Sequence, residues 1–149
     1  MPTAHPHVPR ARRNCVVTPE DALAVVALAT ASPPRHETVA FLLDDAYRGT
    51  GLITVVSDTC DPDSVVHIAE VMAELGALSQ GVGKETAHLV IASVRPNGDV
   101  QPDDAFRWCS ASDIVEAHGI TLLEWFVIGR SGVDCPRELL GEPDRWPRR

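Results

Sequence analysis

The chemistry in this chain is concentrated in and just after Leu89-Val90-Ile91-Ala92-Ser93-Val94-Arg95-Pro96-Asn97-Gly98-Asp99. An apolar run there ends in a polar Pro/Gly loop, and Asp103 and Asp104 follow shortly afterwards. Three uses of these residue types are open. Arg95 with loop N–H groups suits an anion or nucleotide, because a guanidinium fork and a backbone nest both recognise phosphate-like groups. Asp99, Asp103 and Asp104 are oxygen donors of the kind hard cations such as Mg²⁺ or Ca²⁺ take, although they lack the regular alternation of a calcium loop. Alternatively Arg95 pairs with Glu37, Asp99 or Asp103 and closes the corner on itself, a cation holding together carboxylates that would otherwise repel. The plainest reading makes them turn and helix-cap residues.

Other constellations are weaker. His5-Pro6-His7 is a local pair in a Pro- and Arg-rich arm. His36, His67, His88 and His118 are dispersed, with no H-E-x-x-H. Cys109 and His118 would lie about 13 Å apart along a helix axis, too far to act together. The four cysteines form no C-x-x-C pair, which excludes zinc-ribbon and redox-motif readings and suits free thiols in a reducing cytoplasm. The base-deaminase signature, the P-loop, G-x-S-x-G and G-x-G-x-x-G are all absent.

The elements that must position these residues follow from punctuation and period. Thr18-Pro19-Glu20-Asp21 starts a helix reaching to about residue 30, with Leu23, Val26 and Ala27 inward. Residues 38–43 are almost continuously apolar and suit a buried strand; the turn 44–49 leads to a return strand over 52–56. Asp61-Pro62-Asp63-Ser64 starts a helix over 63–78, with Val65, Ile68, Met72 and Leu75 at helical spacing. Gly81-Val82-Gly83 is a link, and residues 88–94 are a third strand. A third helix, capped by Asp103 or Asp104, ends near Gly119, and residues 120–129 are the last clear strand. Trp125 and Phe126 must then face opposite sides of the sheet. Two-sided apolar strands alternating with helices predict an α/β, layered α-β-α domain.

The 149 residues suit one domain. Its bounds read as a flexible Pro/Arg-rich arm over 1–14, a folded body over 15–142 and a basic tail over 143–149. Net charge is −8. Residues 1–13 and 145–149 each hold three arginines and no acid, so the stretch between carries a net −14. Such a body repels a phosphate backbone, which argues against bulk nucleic-acid binding. No secretory signal and no membrane-length apolar run are found, so the expected location is the cytoplasm.

The order of these features resembles the RadC-like JAB domain of the JAB/MPN superfamily, over residues 18–142. Three stretches carry the resemblance. His36-Glu37-Thr38-Val39-Ala40-Phe41-Leu42-Leu43-Asp44 is similar to a Glu-led strand closing on Leu-Asp. Pro96, Gly98 and Asp99, with Pro102 beyond, match the end of His-x-His-Pro-x-Gly-Asp. Gly119-Ile120-Thr121-Leu122-Leu123-Glu124-Trp125-Phe126-Val127-Ile128-Gly129 is similar to Gly-Ile-x-Leu-x-Asp-His-x-Ile-x-Gly.

The resemblance implies a cytidine-deaminase-like mixed sheet with flanking helices. In active members zinc is held by two histidines and an aspartate, a glutamate serves as general base, and a serine steadies the oxyanion. Those positions map here onto Ser93, Arg95 and Phe106 for the metal, Glu37 for the base and Asp103 for the serine. Arginine stays protonated and repels a dication, and phenylalanine has no donor. The resemblance therefore implies a degenerate metal site without zinc, with Trp125 and Phe106 expected to fill the vacated space. The function it implies is a catalytically inactive binding or scaffolding module with a protein partner of unknown identity, or a homodimer formed through a sheet edge or helix. A metal-dependent peptidase-like hydrolase rebuilt on Glu37, Asp99 and Asp103, with His36, is the alternative; anion or nucleotide binding at Arg95 is a third.

Overall fold

The computed structural model describes residues 14–78 and 86–147. The arm as far as Arg13, with His5 and His7, and the Gly81-Val82-Gly83 link lie outside them. The fold is α/β: a five-stranded mixed sheet between helical layers.

Helix α1, Pro19–Ala29, is capped as its sequence dictates. Thr18 Oγ1 accepts from the Asp21 N–H at 3.2 Å, and Pro19 needs no partner in the first turn. Ala22 and Val26 are its buried residues; Leu23 is packed only in part, and Ala27 is exposed rather than inward. Strand β1, Glu37–Asp44, is buried along its whole length, as its unbroken apolar run requires. It turns back into β2, Gly49–Ser57, through Tyr47, whose φ of 62° lies in the left-handed region that a tight turn demands. Helix α2, Ser64–Leu78, buries Val65, Ile68 and Met72 and leaves Leu75 partly exposed. Strand β3, Thr86–Val94, is followed by α3, Asp104–Ala117, and β4, Thr121–Gly129.

The strand order is β2-β1-β3-β4, with β3 and β4 parallel around α3 and the other pairs antiparallel. A short β5, Gly132–Asp134, pairs with β4 at the far edge, and a 3₁₀ turn, Pro136–Leu140, follows it. The weak periodicity of residues 130–149 concealed both.

Two apolar layers sandwich the sheet. Under α2 and α3 lie Ala40, Leu42, Leu89, Ile91, Trp108, Leu122, Trp125 and Val127. On the α1 side lie Val39, Phe41, Leu43, Val90, Leu123, Phe126 and Trp146. Trp125 and Phe126 thus face opposite layers, as strand alternation requires. Among the described residues, no helix is long and apolar enough to cross a membrane.

Candidate functional site

The corner after β3 is a closed ionic network. Arg95, only 8% exposed, leaves the strand end with its backbone N–H donating to the Ile128 carbonyl at 2.8 Å. Its guanidinium donates to both Asp104 oxygens, at 2.6 and 2.9 Å, and to the Asp99 carbonyl at 3.1 Å. Asp104, wholly buried, also accepts from Arg107 at 2.8 Å and from the Gln101 N–H at 2.6 Å. Arg107 reaches on to the exposed Asp63 at 2.8 Å, tying α3 to the start of α2. Burial by itself would raise the Asp104 pKa. The bonds from Arg95, Gln101 and Arg107 outweigh it and hold the carboxyl below its ordinary range.

Trp125 completes the corner. Its indole N–H donates to Ser93 Oγ at 3.0 Å, and Arg95 lies 5.8 Å from its ring centroid, within cation–π range. The loop itself is fastened to the end of β4. Gly98 C=O accepts from the Arg130 N–H at 2.7 Å, and the Asp99 carboxylate accepts from the Ser131 N–H and hydroxyl at 2.9 and 3.2 Å. A Cβ on Gly129 would come within 2.5 Å of the Gly98 carbonyl, so the loop can pack here only against a glycine.

Several expectations are corrected by this geometry. The acid that pairs with Arg95 is Asp104, not Glu37 or Asp103; Asp99 contributes only its carbonyl. The reason is helical phase: Asp104, Trp108, Ala111 and Val115 share the inward stripe of α3, while Asp103 is exposed at its N-cap without a side-chain capping bond. The same phase turns Phe106 outward, 73% exposed, so it fills no pocket; Trp125 and Trp108 occupy the interior. Glu37 is buried but shares the strand face of Val39 and Phe41, on the α1 side of the sheet. There its carboxylate accepts from the Ala31 N–H and lies 3.5 Å from Arg35, across the sheet from Ser93 and Trp125. Arg95, Asp99, Ser93 and Trp125 do meet at one corner; Glu37, Asp103 and Phe106 stand apart from it.

The donor set at this corner does not fit zinc or a hard dication. A fixed guanidinium occupies it, the Ser93 oxygen is engaged by an indole N–H, and the one buried carboxylate is saturated by cations. Among the described residues no group of three His, Cys, Asp or Glu side chains is placed to hold a metal ion.

Sequence reasoning missed a second buried network. The β3–β4 register shifts between Leu89 and Val90, so that Leu122 pairs with Leu89 and Glu124 with Val90, leaving Leu123 as the extra residue of a bulge. Glu124 is thereby brought to the α1 side beside Leu123. It accepts from Arg137 Nε at 3.1 and 3.0 Å and from the Trp146 indole at 3.3 Å. Burial nevertheless raises its pKa, against the lowering effect of Arg137, Trp146 and Cys135. The Cys135 thiol is likewise pushed up, by burial and then by the Glu124 charge, so it is a poor nucleophile. No pattern in the linear sequence marks that bulge.

No family model, curated protein or solved structure matches this chain.

Proposed function

We propose that the chain is a catalytically inactive RadC-like JAB domain that works as a binding or scaffolding module. The single observation that carries this reading is the saturation of the corner after β3. Where the resemblance puts two zinc-binding histidines stand Ser93, engaged by Trp125, and Arg95, locked in a two-pronged pair with the buried Asp104. Apolar bulk and internal ion pairing take the place of an open metal coordination site. The rebuilt hydrolase draws no support from the geometry, since Glu37 lies on the α1 face of the sheet and Asp103 is exposed at the start of α3 without a side-chain capping bond. An anion at Arg95 would have to displace Asp104 from the guanidinium. The same reading places the protein in the cytoplasm with a protein partner, consistent with its four free cysteines.

The test is the metal content of natively purified, tag-free protein, prepared without chelator and measured again after zinc is supplied. The expected result is no stoichiometric metal in either sample. About one equivalent of metal, lost in an Asp99→Ala/Asp103→Ala variant, would overturn the proposal and revive the hydrolase.

A further inference from the structure

The sheet has two edges, and they are not alike. At one, β5 is three residues long. At the other, β2 runs over Gly49–Ser57 without a charge or a proline, and Leu52, Ile53 and Val55 are 39–50% exposed. A long, uncharged, apolar edge is the kind that recruits another strand, because one row of its backbone groups lacks a partner in the sheet.

Parity fixes which groups those are. The Asp58 N–H donates to the His36 carbonyl, and residues 53–57 pair with β1 without a shift in register. Even-numbered residues of that stretch therefore turn their backbone groups toward β1, and Ile53, Val55 and Ser57 turn theirs outward. Cys15 takes the outer side of the strand at Arg48, and Gly51, with φ 90°, interrupts its regular path. Among the described residues, no strand or bridge pairs with the outer side beyond Gly51.

We infer that a second copy of this chain covers that edge, β2 pairing antiparallel with its counterpart about a two-fold axis at Val55. This names a partner for the binding module proposed above and rests on that reading for the module's role. Three properties favour self-pairing. First, the outward stretch is self-complementary. Val55 stands opposite the partner's Val55, Ile53 opposite the partner's Ser57 and Ser57 opposite the partner's Ile53. Each is a hydrogen-bonded pair that exchanges both its bonds, so no outward group over 53–57 is left over.

Second, the apolar faces merge. Ile53 and Val55 pair with Phe41 and Val39, both in the α1-side layer, so the axis gathers Ile53 and Val55 of the two copies on one face. Helix α1 borders that face. Val25 lines an apolar cleft with Phe41 and Ile53, and Leu28, one turn further on, is 74% exposed.

Third, charge selects this strand. Each copy carries a net −8, so two copies repel wherever their acidic surfaces meet, and β2 offers a meeting line without a charge. The nearest acid past its end is Asp58. In this register Asp58 and the partner's Asp58 lie about six residues apart along the strands, or ~20 Å, which exceeds the screening length of about 8 Å at physiological salt.

Sedimentation equilibrium and residue-resolved amide hydrogen exchange on the full chain, from about 5 to 500 µM, test this. The expected result is a monomer–dimer equilibrium with a Kd of about 10–100 µM, since so short a pairing belongs with small, transient interfaces. Exchange at Ile53 and Val55 should slow about fivefold or more as the dimer fills, and added salt should tighten the dimer by screening the net charge. Val55→Lys puts two like charges at the axis and should weaken the dimer about tenfold or more. Phe106→Lys, which adds the same charge at an exposed position of α3, should change it less than about twofold. The amides of Val39 and Ile91 in the central strands report that each variant is folded. A monomer at every concentration would overturn the inference, and protection of Ile53 and Val55 in that monomer would mark the chain's own residues as the cover. A dimer that survives Val55→Lys would overturn it too. Neither result touches the metal-free reading of the corner, which fails only on stoichiometric metal.

Discussion

Asp104 shows what a buried charge does when it is given enough partners. It sits in the first turn of α3, where negative charge is favoured, and two arginines and a backbone N–H fill its acceptor sites. Its pKa is depressed in the folded chain, so folding is favoured by the ionised form. That contribution is fully present above the ordinary aspartate range near about 3.9 and is lost as pH falls through the lower folded value. Glu124 acts in the opposite sense. Its folded pKa is raised, so stability declines as pH climbs from the ordinary glutamate range to that higher value. Asp104→Asn should therefore lower stability by about 3 kcal/mol at pH 7, because two largely buried guanidinium groups lose their counter-charge. The gap from the parent chain should narrow as pH drops below about 4. Urea unfolding from pH 7 down to the lowest pH at which both proteins fold measures it; a gap constant with pH would refute the assignment of that stability to the ionised Asp104.

At the scale of elements, the loop between β3 and α3 is held by β4 rather than by its own turn residues. Gly129 is the contact point: a Cβ there would lie 2.5 Å from the Gly98 carbonyl and 2.9 Å from the Asp99 Cα, and backbone cannot swing aside as a side-chain end can. Gly129→Ala should cost about 1–3 kcal/mol by overpacking and should loosen the bonds from Arg130 and Ser131 to Gly98 and Asp99. Exchange at the Arg130 and Ser131 amides is the readout; unchanged rates would show that the loop adapts without leaving β4. Strands β1 to β4, the three long helices and the β1–β2 hairpin were legible in the sequence, because turn residues, cap residues or apolar runs punctuate them; β5 was not. Asp104 was legible too in principle. It is in phase with Trp108, Ala111 and Val115, and that phase separates it from Asp103 and turns Phe106 outward. The Leu123–Glu124 bulge was not legible, since a one-residue shift in pairing leaves no trace in composition or period. Glu37 shows the limit of alignment by motif. A strand-start glutamate in the expected place belongs to whichever face its parity dictates, and here that is the α1 face.

The molecule as a whole has an uneven sandwich, and its C-terminal segment corrects the imbalance. Two helices cover one face of the sheet, while α1 alone covers the other. The missing cover over β4 comes from residues whose composition reads as a basic tail. Trp146, 6% exposed, packs in the α1-side layer with its ring 6.4 Å from that of Phe126, and its N–H reaches Glu124. Arg145 lies 4.7 Å from the Trp108 ring centroid and donates to Ser112 Oγ and the Leu122 carbonyl, both at 2.9 Å. Arg137 bridges Glu124 and the Glu142 carbonyl, and the Trp108 indole donates to the Glu142 carboxylate. A domain ending at residue 142 would thus lose a wall of its core. Trp146→Ala should cost about 3–5 kcal/mol, the range for deleting a buried aromatic side chain, which for a chain of this size lowers Tm by about 10 °C. Trp146→Phe should recover most of that loss by restoring the ring, but not the part due to the indole N–H on a buried carboxylate. Thermal unfolding of the three proteins at one pH separates the two contributions. If Trp146→Ala unfolded within about a degree of the parent chain, the segment after residue 142 would be detachable and the α1 face complete without it.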